Sequence, residues 1–166
     1  MGRGSVSDVA RIEAKRLLLA WLANGGDDIR SLQRTAFELH VEHSTFPGDE
    51  FTRVALQALE MAKVDHHGPI AYETLLIDHL PEINFRGKEN RKIRFAVMGV
   101  ASLRGGLDPD VLDEVIYWND DYWRYGLWAS IALIRASAAK AGIPVADLAR
   151  RLAHRLHLFL DVSDDD

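Results

Sequence analysis

Tyr117-Trp-Asn-Asp-Asp-Tyr-Trp-Arg-Tyr-Gly-Leu-Trp128 holds three of the four Trp and three of the four Tyr of a 166-residue chain. Asn119, Asp120 and Asp121 interrupt the stretch with residues that prefer turns and helix starts. Beyond them the apolar residues Leu127, Trp128, Ile131, Leu133 and Ile134 open the most hydrophobic segment of the chain. The stretch therefore reads as a break between two helices, the second running from Tyr122 to Lys140 and stopped by Ala141-Gly142.

Working outward, Pro144 begins a last helix through Val145, Leu148, Leu152, Leu156 and Phe159. Upstream, Asp108-Pro109 opens a helix carrying Val111, Leu112, Val115 and Ile116, with Pro in its first turn. Before it, Arg86-Gly87-Lys88 leads into a helix through Ile93, Val97, Val100 and Leu103, and another spans Ile70 to Leu80. At the start of the chain, Ser7 is positioned to cap a first helix whose apolar positions are Val9, Ile12, Leu17, Leu19, Ala20 and Ala23. Asn24-Gly25-Gly26 stops it, and Asp27–Asp28 cap a second helix through Ile29, Leu32, Ala36, Leu39 and Val41. Phe46-Pro47-Gly48 breaks that one, and Asp49 starts a third through Val54, Leu56, Leu59 and Met61. No segment alternates apolar and polar residues like a strand, so the expected class is all-α with about eight helices.

These helices pair into hairpins at roughly 8–43, 49–80, 88–118 and 122–160. A basic residue recurs in the first helix of each pair, at Arg16, Arg53, Arg94 and Arg124, at spacings near those of helical repeats. Asp121-Tyr-Trp-Arg124-Tyr-Gly-Leu127-Trp-Ala-Ser-Ile131-Ala-Leu-Ile134, echoed by Ile93-Arg94 with Val97 and Val100-Ala101, resembles the HEAT-type helical hairpin repeat. The resemblance implies a right-handed stack of hairpins. A compact helical bundle is the alternative that the same pattern of amphipathic pairs allows.

The length suits one domain over 1–166, with a flexible N-terminus at 1–6 and an acidic tail at 161–166. There is no Cys, which excludes disulfides and thiolate metal sites. The longest apolar runs fall short of a bilayer span and no signal-type segment follows Met1, so a cytoplasmic protein without a membrane role is expected. Net charge is −5, of which Asp161, Asp164, Asp165 and Asp166 carry four, leaving about −1 on the body. Nucleic-acid binding needs a basic face, and the only dense cluster is Arg86, Lys88, Arg91, Lys92 and Arg94. That cluster is kept as a third reading, an anion or nucleic-acid site.

Two constellations carry the main alternatives. The first is a partner-binding rim of Trp118, Asp120, Asp121, Tyr122 and Tyr125 with Arg91 and Arg94 alongside. There exposed aromatics would anchor a partner protein or peptide and the charges would orient it. Trp123, Leu127 and Trp128 are then core. The second is a metal-dependent enzyme. His40 and His43, an i, i+3 pair, would join Asp78 and His79 around Zn or another divalent ion. Asp65-His66-His67 reads as a polar turn, and Arg150, Arg151, His154 and His157 as a solvated basic face. No phosphate loop, nucleophile elbow or helical metal-binding signature is present. The expected function is accordingly a non-catalytic interaction module without a cofactor, its oligomeric state open.

Overall fold

The computed structural model describes residues 2–26, 28–43, 47–63, 79 and 122–160. For 2–8, 40–43, 47–49 and 122–126 it describes the backbone only. Five helices run through these residues, and there is no strand among them. They are α1 (Gly2–Ala23), α2 (Ile29–His43), α3 (Pro47–Ala62), α4 (Tyr122–Ala141) and α5 (Val145–Arg155). The protein is all-α. The helices expected from Ile70 to Leu80, through Ile93 to Leu103 and from Asp108 to Trp118 lie outside the described residues.

The middle of the molecule is α4. Every residue from Leu127 to Ile134 is buried, and so are Ala136, Ser137 and Ala138. A helix that is apolar on all faces needs neighbours on all faces. The expected core positions Leu127 and Trp128 are met, and Trp128 Nε1 donates to Gln33 Oε1 of α2 at 2.7 Å. Its most extensive partner is α3, which buries Phe51, Val54, Ala55, Ala58 and Leu59. Small residues on both helices, Ala55 and Ala58 against an α4 rich in Ala, permit a close backbone approach.

Helix ends follow local chemistry. Asp28 Oδ1 accepts the backbone N–H groups of Arg30 and Ser31 at 3.1 and 3.3 Å, the N-cap geometry expected for α2. At the end of α1, Gly26 N–H reaches the Trp21 carbonyl and Gly25 N–H the Leu22 carbonyl, with Gly25 at φ 108°. This is a Schellman stop. The same pair of bonds closes α4 around Gly142 and α5 around His157, which sits at φ 58° without being glycine.

Several boundaries and faces differ from expectation. α1 begins at Gly2, so Ser7 is inside the helix instead of capping it. Its inward face is Ala10, Ala14, Leu18 and Leu22, four residues apart, while Val9 and Ile12 are 62% and 47% exposed. Charged residues (Arg11, Glu13, Lys15 and Arg16) are spread around this helix among the apolar ones, so periodicity alone leaves its phase open, and packing turns the small residues inward. Pro47, expected to end a break, is the first residue of α3, where its missing N–H costs nothing. α5 ends at Arg155, and Phe159 lies beyond it, 86% exposed.

The arrangement of the five helices departs from an open HEAT-like stack. Such a stack confines each hairpin to its sequence neighbours. Here α1 packs against α5, the first helix against the last, as well as against α2 and α3. The segment Leu127–Ala141 and α5 differ in direction by 104°, which returns the chain across α1. Arg150 of α5 donates to the Ala23 carbonyl at the end of α1, at 3.3 Å. These contacts join the first and the last of the described helices directly. No single helix among the described residues is long and apolar enough to cross a membrane.

Candidate functional site

Where α1, α3 and the end of α5 meet, a cleft of about 270 Å³ opens to solvent. Lys15 lines it from α1, Leu156 from the C-cap of α5, and Arg53, Leu56, Gln57 and Glu60 from one face of α3. Positions 53, 56, 57 and 60 fall at helical steps of three and four, which is why one helix supplies so much of the wall.

One lining residue, Lys15, belongs to a buried charge pair. Glu50, three residues before Arg53, is buried, its side chain only 5% exposed, and its Oε1 lies 3.5 Å from Lys15 Nζ. Lys15 is itself about three-quarters buried, with a side chain 24% exposed. Among the described residues Glu50 Oε1 has no hydrogen-bond partner, so the contact is a charge pair without good hydrogen-bond geometry. An ammonium offers three donors, and one loosely held carboxylate leaves part of that capacity for the cleft. Arg53 is exposed and makes no ion pair among the described residues. Among the described residues the other buried side-chain oxygen without a partner is Ser130 Oγ, inside α4 and away from solvent.

Of the residues expected to bind a partner, Trp118, Asp120, Asp121, Arg91 and Arg94 lie outside the described residues. Tyr122 and Tyr125 occupy the first turn of α4, and their side chains lie outside as well. Immediately after that turn, every residue of α4 from Leu127 to Ile134 is buried. For the metal reading, His40 and His43 fall in the last turn of α2 with side chains outside the described residues. Asp78 is outside too, and His79 is half-buried. Among the described residues no three His, Asp or Glu side chains group closely enough to hold a metal ion. The Arg86–Arg94 cluster and Asp65-His66-His67 are outside. Arg150, Arg151, His154 and His157 are exposed, as expected for a solvated face, with Arg150 paired to Asp147 at 3.3 Å.

Lys15, Glu50 and Gln57 carried no functional expectation, and Arg53 only one as a repeat marker. A signal for Glu50 was available. It stands four residues before Val54 and eight before Ala58, on a line whose members are all buried. A carboxylate in that phase calls for a cation from a neighbouring helix. Which helix supplies it is a tertiary fact. No family model matches the chain, and neither a characterised protein nor a solved structure does.

Proposed function

We propose that this protein is a non-catalytic, cytoplasmic interaction module that binds a partner protein or peptide. The observation that carries the reading is the set of large apolar side chains exposed on α1 and after α5. Val9 and Ile12 lie one turn apart on α1, and Phe159 follows α5. Val9 and Ile12 are i, i+3 neighbours and share a face. Aromatic and aliphatic anchors of this kind supply binding energy when a partner covers them. The rim of Trp118, Asp120, Asp121, Tyr122 and Tyr125, with Arg91 and Arg94, belongs to the same proposal as its aromatic and charged part.

Two double variants test it against a partner identified by crosslinking and mass spectrometry. Val9→Ser with Ile12→Ser, and Trp118→Ala with Tyr122→Ala, are each expected to weaken capture by at least about tenfold, roughly 1.4 kcal/mol. Helical circular dichroism should be retained in both. Undiminished capture by both folded variants would refute the interaction surface. Unfolding of the second pair alone would place those aromatics in the core and leave the α1 face to carry the function.

A further inference from the structure

The cleft between α1, α3 and Leu156 has no part in that interaction reading, and its chemistry goes beyond it. We infer that it binds a small organic monocarboxylate, with the carboxylate between Lys15 and Arg53 and the hydrocarbon against Leu56 and Leu156. Four observations lead there. Lys15 lines the cleft while its buried partner Glu50 holds it only at 3.5 Å, without a hydrogen bond to Oε1. Arg53 lines the same cleft from one turn further along α3 than Glu50, so the two cations belong to one end of it. A guanidinium presents a planar fork that matches a carboxylate in two parallel hydrogen bonds, and an adjacent ammonium adds a point charge. Finally, the remaining wall includes half-buried leucines, which an aliphatic or aromatic stem would cover.

Charge balance narrows the ligand. Glu50 already offsets one of the two cations, which leaves about one net positive charge for a ligand. A second anionic group would find no cation of its own, so a monocarboxylate is preferred to a dicarboxylate. A phosphate of nearly two charges is poorly matched for the same reason. The volume of about 270 Å³ sits just under the range of ligand sites, roughly 300–1,000 Å³, and suits a molecule of metabolite size.

The probe is hexanoate, with hexanol, adipate and inorganic phosphate as comparisons, titrated into the full chain and followed by heteronuclear NMR and thermal melting. Hexanoate should bind saturably at millimolar concentrations and raise the melting temperature, because it binds only the folded state. Hexanol, adipate and phosphate should each bind at least about tenfold more weakly, and Arg53→Gln, a surface change, should weaken hexanoate by about the same factor. Absence of saturable hexanoate binding overturns the inference. So does hexanol or phosphate binding as tightly as hexanoate, or hexanoate affinity unchanged in folded Arg53→Gln. Partner capture plays no part in this titration, so the interaction reading stands or falls separately.

Discussion

Glu50 keeps a side chain 5% exposed beside a lysine 24% exposed, and each group offsets the cost of burying the other. Glu50→Ala strands the Lys15 ammonium and opens a void. About 2–4 kcal/mol of stability should be lost in urea denaturation. Replacing both partners, Lys15→Met with Glu50→Leu, should recover most of it, because no unpaired charge remains. A single substitution costing no more than an exposed ion pair would show that the pair contributes little. Two backbone positions act in opposite directions. At Gly26, φ is 63° and a Cβ would lie 3.3 Å from the Trp21 ring, so Gly26→Ala should cost about 1–2 kcal/mol. His157 adopts the left-handed region without being glycine, at φ 58°. His157→Gly relieves that strain against a larger entropy loss on folding, for a net gain of about 0.5–1 kcal/mol. Thermal melting of the two variants should move in opposite directions.

Among the elements, the amphipathic helices hold their ends by identifiable contacts. α2 depends on Asp28, whose carboxylate satisfies two backbone donors of its first turn. Asp28→Ala should cost about 1 kcal/mol, and Asp28→Asn less, since the amide oxygen can still accept. α1 has no basic residue in its last turn, and Arg150 from α5 takes that place at the Ala23 carbonyl. A cation at a helix C-terminus offsets the partial negative charge of the unpaired carbonyls. Because Arg150 is exposed and also paired with Asp147, Arg150→Ala is expected to cost only about 0.5–1 kcal/mol in chemical denaturation. That contact joins the first helix to the last, so its small energy reports on a large topological fact.

On the scale of the described helices, α4 is buried from Leu127 to Ile134 and α5 packs back onto α1. Amides of α4 between Leu127 and Ala138 should exchange only through global unfolding, whereas those near the start of α1, where Val9 and Ile12 face solvent, should exchange sooner. Leu152 is fully buried on the α5 face that returns to the core. Leu152→Ala is expected to cost about 2–5 kcal/mol and to loosen the α1–α5 contact first, seen as raised exchange in both helices with α4 still protected. Equal loss of protection everywhere would make the closure part of one cooperative unit with α4.

From the chain alone, helical periodicity and the absence of strand-like alternation determined the all-α class. Local chemistry determined the ends: Asp28 as a cap, Asn24-Gly25-Gly26 and Gly142 as stops. Burial of Leu127 and Trp128 was legible because the segment they open has no polar face to turn outward. The rest needed neighbours. α1 mixes apolar and charged residues around its circumference, so its sequence could not say that Ala10 and Ala14 face inward while Val9 and Ile12 face water. The phase of Glu50 with Val54 and Ala58 marks it for burial, but that its cation is Lys15, thirty-five residues earlier and 3.5 Å away, is set by the packing of α1 on α3. The return of α5 across α1 is likewise invisible in a pattern of hairpins, because an open stack and a closed bundle need the same amphipathic helices. They differ only in which faces meet, and the tertiary structure decided that, creating the cleft at the junction as it did so.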